Sequence, residues 1–316
     1  MNLCAIDCHV HLLDVAFGGG SNGLQAALKY APRFGPDILS YFERFKYNYF
    51  IRKNNPLIYA VEKLIMLSVA GRTKSAPPAK LADSMLAAGI KYSVIHPVYP
   101  YVTTDEVYKL CDFKAFFPFT SPPVDKGGCL GQAESDLNRG CLGIKIHPLI
   151  QGLDLDSTIY KELAELAASQ SVPLLTHFGG SPAMFGLRNG LGHLDARKIR
   201  TLAFHAPNAL IIVGHIGLWQ NEEVLAEIKD LQNVYADTSF QPAGFIKKAA
   251  DAMGSKRLLL GSDFPIGNQK LCRDNVLRAG LSDSETEDIL YKNALRILNF
   301  NKSKNNFYAH LANNMR

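Results

Sequence analysis

Two histidines separated by one residue close a short apolar run, Leu3-Cys4-Ala5-Ile6-Asp7-Cys8-His9-Val10-His11. Side chains alternate along a strand, so His9 and His11 are expected on one face together with Asp7. Cys4 and Cys8 share the parity of Ile6 and are expected on the other face, packed outward as buried thiols. Two imidazoles side by side at a strand end can hold one divalent metal from one direction. Such a site needs further ligands, and polar residues stand at the ends of several later apolar runs. Lys145 and His147 close Leu142-Gly143-Ile144-Lys145-Ile146-His147, and His177 follows Leu174-Leu175-Thr176. His215 follows Val213-Gly214, and Asp263 follows Leu260-Gly261-Ser262. His96, before Pro97, is a weaker candidate of the same kind; His193, His205 and His310 fall outside strand ends and read as surface residues.

These residues can meet only if the runs that carry them lie side by side and in parallel. Eight such runs occur: Leu3 to Cys8, Tyr92 to Ile95, Ala115 to Phe119, Leu142 to Ile146, Val172 to Thr176, Leu210 to Val213, Val234 to Ala236 and Leu258 to Leu260. Their continuous rather than alternating apolar character fits parallel strands covered by helices. Helical stretches fall between them. Leu81 to Ala88 ends at Gly89, and Ser157 to Ser169 repeats apolar residues at helical spacing. Glu222 to Leu231, Phe245 to Met253 and Ser282 to Leu298 follow, the last opening on a Ser-x-x-Glu capping pattern. The spacing predicts an α/β fold, a (β/α)8 TIM barrel, whose usual size is ~250 residues. The chain is longer because strands one and two stand far apart. Residues 15–80 therefore read as a helical insertion in the first βα connection of a single 1–316 domain. In a barrel all strand C-termini open on one mouth, where the active sites of this fold lie. The insertion leaves from that end and is expected over the mouth or at a subunit contact.

Composition sets the setting. With 47% hydrophobic and 20% charged residues in 316, the chain reads as an ordinary soluble protein. No apolar run approaches the ~20 residues that span a bilayer, and the N-terminal run is broken by Asp7, His9 and His11, so neither a membrane span nor export is expected. Six irregularly spaced cysteines point to free thiols in a reducing cytoplasm. The net charge is +5, yet Leu24 to Lys80 holds ten Lys or Arg against three Asp or Glu, leaving the remainder at −2. That basic segment either forms a solvated helical face or attracts an anionic substrate, a membrane surface or nucleic acid. Arg44, Arg52 and Lys53 within it could supply cationic contacts to a carboxylate.

The opening Asp7-Cys8-His9-Val10-His11 and the order of motifs from Ala82 to Phe300 resemble the amidohydrolase superfamily. The likeness is nearest to its amidohydrolase-related branch, which includes aminocarboxymuconate semialdehyde decarboxylase. The resemblance implies that His9, His11, His177 and Asp263 hold a divalent metal, usually one zinc ion, with His215 beside it. Neutral imidazoles keep such a metal Lewis acidic and can lower the pKa of a bound water toward ~7. Asp263 would take that water's proton, and His215 would orient the nucleophile or protonate a leaving group. Asp7 and Asp237 are candidates for contacts behind the ligands. Lys145 falls where binuclear relatives carry a carboxylated lysine, which would bring a second metal with His177 and His215. One metal is the expectation here, with Lys145 and His147 facing substrate or structure. The leading expectation is a hydrolase acting on an amide, ester or lactone of a small, anionic molecule. The alternative is a non-oxidative decarboxylase of an aromatic or enolic acid, and a homo-oligomer is compatible with either. Nucleic acid is disfavoured, because related barrel nucleases carry an acidic residue where this chain has Lys145.

Overall fold

The computed structural model describes residues 4–15, 72–73, 76–179 and 194–298. Most of the 15–80 insertion, including Arg44, Arg52 and Lys53, therefore lies outside the described residues, as do His193 and His310.

The described chain alternates strands and helices. It runs β1 (Ala5–Val10), α1 (Pro78–Ala88), β2 (Ile90–Ile95), α2 (Thr104–Leu110), β3 (Phe116–Pro118), α3 (Cys129–Asn138) and β4 (Ile144–Ile146). The next elements are α4 (Pro148–Gln151), α5 (Thr158–Ser169), β5 (Pro173–Thr176), α6 (Arg197–His205), β6 (Leu210–Val213), α7 (Asn221–Ile228) and β7 (Val234–Asp237). The chain continues through α8 (Ala243–Met253), β8 (Leu258–Leu259), α9 (Gln269–Leu277), α10 (Asp283–Glu287) and α11 (Asn293–Ile297).

All strand pairings are parallel, in the order β1-β2-β3 and β4-β5-β6-β7-β8. Two seams join these groups. Thr120 bridges Ile144, with Lys145 N donating to Thr120 O at 2.7 Å. Val10 bridges Phe264, with Cys8 N donating to Leu260 O at 2.8 Å and Asp263 N to His9 O at 2.7 Å. Eight parallel strands joined at both seams form the TIM barrel that the spacing predicts.

Two layers of apolar side chains fill it. One cluster draws residues from every strand or its edge, among them Ile6, Val94, Phe117, Leu142, Leu175, Ile212, Tyr235 and Leu259, and is the barrel interior. The alternate strand residues, such as Ile144, Leu174, Ile211 and Leu258, pack with the helices in the outer layer. Helix ends follow their local chemistry. α1 opens on prolines and stops at Gly89, whose φ of +65° lets its N–H return to the carbonyls of Met85 and Leu86. α10 opens on the Ser282/Glu285 capping box. The helix expected over Ser282–Leu298 is interrupted by a π turn at Asp288–Lys292. There the Ile289 carbonyl accepts from Leu260 N at 2.9 Å, and the Asp288 carboxylate accepts from Ser255 Oγ at 2.9 Å, docking this end against β8. Among the described residues, no helix is long and apolar enough to cross a membrane.

Candidate metal centre

The mouth is built first by an irregularity in β1. Asp7 pairs with Ser93 but Val10 pairs with Ile95, so β1 spends one more residue than β2 over this interval. A bulge of that kind re-aims the side chains beyond it. It corrects the strict alternation expected from the sequence. Cys8 joins Ile6 in the barrel interior rather than packing outward under the helices. Asp7 does not stand beside the imidazoles. Its carboxylate accepts from Ser262 N at 3.0 Å, Ser262 Oγ at 2.5 Å, Gln269 Nε2 at 2.8 Å and His9 N at 3.2 Å. It thus ties β1 to the loop after β8, from behind both. Burial pushes its pKa up to about 7, against these hydrogen bonds.

His9 and His11 come together beyond the bulge with Asp263. Asp263 Oδ1 lies 3.1 Å from His11 Nε2 and 3.6 Å from His9 Nε2. The Nδ1 of His9 donates to Asp237 Oδ2 at 2.8 Å, and the Nδ1 of His11 donates to the His96 carbonyl at 2.7 Å. Both rings are thereby turned so that Nε2 is aimed at one point, and the three ligand atoms lie within 4.8 Å of one another. Two imidazole nitrogens and a carboxylate, with each ring held from behind, form a donor set that could hold a divalent transition metal. A second trio, His9, His215 and Asp237, also brings its ligand atoms within 4.8 Å of one another. It fits less well, because Asp237 is already engaged by the His9 Nδ1 and by the Ser239 amide and hydroxyl.

Asp263 has a φ of +57°, a conformation Asp tolerates better than most side chains. Asp237, one residue pair beyond Tyr235 of the interior, points inward by simple alternation. It fits there because residue 261 is glycine: a Cβ at Gly261 would lie 2.6 Å from Asp237 Oδ1. His215 reaches the mouth by another route. The chain turns left-handed at His215 (φ +61°), Ile216, Gly217 and Leu218. His215 Nδ1 then lies 2.6 Å from Ser239 Oγ, while Nε2 lies 3.9 Å from Asp263 Oδ2 and 3.3 Å from His177 Nδ1.

His177 belongs to neither compact trio. Its Nε2 donates to the Gly179 carbonyl at 2.9 Å, and its ring stacks on His147 at 3.9 Å. His147 N-caps α4 through Nδ1, which accepts from Ile150 N at 3.3 Å. Lys145 is fully buried, with Nζ donating to His9 Nε2 at 3.1 Å. Burial pulls its ammonium down to about 8 even though Asp263 and Asp237 favour the charge. The same burial holds His9, His147 and His215 well below the ordinary imidazole range, with His177 near 3, and raises the Asp263 carboxyl. Burial thus favours the neutral form of those four rings, the form that ligates metal. His205 stays outside, paired with Glu165 at 2.8 Å on the surface.

Three residues of this arrangement were not legible from spacing. Ser239 and Gln241 hold His215, the latter donating to its carbonyl at 2.5 Å, and Gln269 supports Asp7. Only Ser239 left a trace, in the polar Asp237-Thr238-Ser239 that ends β7.

Known structures share this architecture. A 2,6-dihydroxybenzoate decarboxylase from Rhizobium matches 95% of this chain and 99% of its own, with TM-score 0.63 at 14% identity. A 5-carboxyvanillate decarboxylase from Novosphingobium aromaticivorans, complexed with manganese and 4-hydroxy-3-methoxy-5-nitrobenzoic acid, matches 94% of this chain and 96% of its own, with TM-score 0.61 at 15% identity. A protein from Acinetobacter baumannii assigned as a 2-pyrone-4,6-dicarboxylic acid hydrolase, with citric acid bound, matches 94% and 99%, with TM-score 0.57 at 11% identity. At such identities the likeness is one of fold, and no curated protein sequence matches the chain. The sequence model of the amidohydrolase family, however, matches residues 6–300, and the chain belongs to that family.

Proposed function

We propose that this protein is a metal-dependent decarboxylase of a small aromatic or enolic carboxylic acid. The observation that carries the reading is Lys145. It is fully buried at the mouth, and among the described residues no carboxylate pairs with it. A buried ammonium that no carboxylate touches is costly to keep charged, and Asp263 and Asp237 offset that only in part; an anionic substrate in contact with it would offset more. His9, His11 and Asp263 are the ligands in this reading, with His177 beside them as the fourth. The metal, when bound, supplies Lewis acidity and a fixed positive charge beside the substrate carboxylate.

The chain's own groups do the rest. Lys145 pairs with the carboxylate and holds it at the ligand face of His9. When the bond between ring carbon and carboxyl carbon breaks, its electron pair stays on the ring carbon and CO2 leaves. The Asp263–His215 pair takes up one proton from solvent and delivers it to that carbon, with Ser239 holding His215 in place through Nδ1. Decarboxylases of hydroxylated aromatic acids among the similar structures support this reading over the hydrolase expected from the sequence.

A second reading, hydrolysis of an anionic lactone, is supported by the similar 2-pyrone-4,6-dicarboxylic acid hydrolase fold. There Asp263 would accept a proton from water instead of donating one. The discriminating experiment loads the protein with zinc or manganese and offers hydroxybenzoates, enolic acids, esters and lactones. CO2 release from a carboxylic acid is expected; lactone or ester opening without CO2 would establish the hydrolase. Metal analysis of the purified protein is expected to return about one equivalent per chain and identifies the ion.

A further inference from the structure

We propose that His96 is a positioning residue: its Nε2 pins the β1 bulge that turns His9 and His11 into the mouth. This rests on the metal reading of the mouth. His96 follows β2 directly and is fully buried. It holds β1 at three points. Its backbone N–H donates to Val10 O at 2.8 Å, its Nε2–H donates to Cys8 O at 2.8 Å, and its carbonyl accepts from His11 Nδ1 at 2.7 Å. Cys8 lies inside the interval where β1 spends its extra residue, between the Asp7–Ser93 and Val10–Ile95 pairs.

The consequence follows from strand geometry. A slip of one residue in register moves every following side chain to the opposite face. If the bulge relaxed into a regular ladder, His9 and His11 would turn toward the outer layer and the trio with Asp263 would fall apart. A side-chain bond to the carbonyl of Cys8 opposes that slip from within the bulge. The donor must be Nε2, because a carbonyl only accepts. Neutral His96 then carries no proton on Nδ1, and among the described residues Nδ1 is indeed buried without a hydrogen-bond partner. The ring lies 4.4 Å from Phe119 and 5.1 Å from His9, which holds it upright between the interior and the ligands.

Glutamine and asparagine separate the two ring nitrogens, since the amide of Gln reaches the position of Nε2 and that of Asn the position of Nδ1. Metal affinity is measured by chelator competition, together with the visible spectrum of the cobalt(II)-loaded protein. Circular dichroism and thermal melts of metal-stripped protein check the fold. His96→Phe should weaken metal binding by about 10–100-fold and alter the cobalt spectrum, His96→Gln should return to within about threefold of wild type, and His96→Asn should not. Asp136→Asn is the structural control. Asp136 is a buried carboxylate bonded to Thr120, Gln132 and Arg139, and its loss should lower the melting temperature without touching metal affinity. Wild-type affinity in a folded His96→Phe protein overturns the role, as does rescue by Asn but not Gln, which would assign the function to Nδ1. If His96→Phe does not fold, the Gln–Asn pair decides, and equal affinities overturn the proposal. A wild-type protein that binds no divalent metal removes the metal reading and this inference with it; equal binding by all variants removes the inference alone.

Discussion

Asp237 Oδ2 stands 2.8 Å from His9 Nδ1, and both side chains are fully buried. This contact selects the tautomer that leaves His9 Nε2 free to ligate. The other oxygen of Asp237 accepts from the Ser239 amide and hydroxyl. Asparagine at 237 cannot serve both sides, because one of its two positions becomes a donor facing donors. Asp237→Asn should therefore fold and lose about 10–100-fold in metal affinity, read by chelator competition. Unchanged affinity would show that His9 is oriented by something else.

Gly261 makes a related prediction at a residue that touches no ligand. A Cβ there would lie 2.6 Å from Asp237 Oδ1 and 2.8 Å from its Cγ. Since Asp237 is pinned on both oxygens, Gly261→Ala should shift it and weaken metal binding in the same direction as Asp237→Asn. The effects should not add: in an Asp237→Ala background the Gly261→Ala change should cost little, the mark of two residues acting through one contact. Full additivity in this double-mutant cycle would separate them.

These two positions also show what the sequence could and could not tell. The strand ends carrying His9, Lys145, His177, His215 and Asp263 were legible, because continuous apolar runs give way to polar residues there. The facing of Cys8 and Asp7 was not, because the bulge exists only in the comparison of two strands: three steps from Asp7 to Val10 against two from Ser93 to Ile95. His215 likewise enters by a left-handed turn that alternation cannot foresee. Helices α2, α3 and α9 were missed because polar residues dominate them and dilute the apolar period, whereas α6, equally missed, does carry a helical spacing at Ile199, Leu202 and Ala203. α2 still carried a signal in the Thr103-x-x-Glu106 capping box that the structure confirms. Contacts such as Asp7 to Gln269 join residues far apart in the chain and leave no local pattern.

Lys145 bears on both metal number and substrate. Lys145→Met removes a buried charge that lacks a carboxylate partner among the described residues and keeps much of its volume. The variant should melt higher than wild type, because the charge it removes is costly to bury. It should keep one equivalent of metal and lose affinity for the carboxylate substrate. Two equivalents of metal in wild type, with one lost in Lys145→Met and restored to the wild-type protein by bicarbonate, would instead establish a carboxylated lysine.

Away from the mouth, Asp112 makes a pH prediction with a definite sign. Its Oδ1 accepts from the backbone N–H groups of Lys114, Ala115 and Phe116, organising the turn into β3. Those bonds outweigh its partial burial and hold its carboxyl below the ordinary range. A depressed folded-state pKa favours the charged form in the fold. The stabilisation is therefore complete above the unfolded value of about 3.9 and is lost as pH falls through the folded one. Asp112→Ala should cost about 1 kcal/mol at pH 7, and the gap to wild type should narrow as pH falls below the unfolded value of about 3.9. Parallel melting curves with a constant gap from pH 7 to 2 would contradict the assignment.

His215 separates binding metal from using it. Its Nε2 lies 3.9 Å from Asp263 Oδ2, too far to share its proton directly without a small movement, and its Nδ1 is held by Ser239 Oγ at 2.6 Å. It is not part of the trio of His9, His11 and Asp263. His215→Asn can keep the contact to Ser239 through its shorter amide while losing Nε2. Metal content and melting temperature should therefore stay near wild type. The rate should fall by about 10²–10⁴, the range for losing a proton-transfer group. The loss should appear in kcat and in kcat/KM together, since substrate binding does not use this nitrogen. One limb of the pH–rate profile should also disappear, and in wild type it should lie below the ordinary imidazole range because burial disfavours the charged ring. If His215→Asn instead releases metal in step with activity, His215 is a ligand. The second trio, His9, His215 and Asp237, then becomes the metal site, and Asp237 exchanges its place behind His9 for one on the ion.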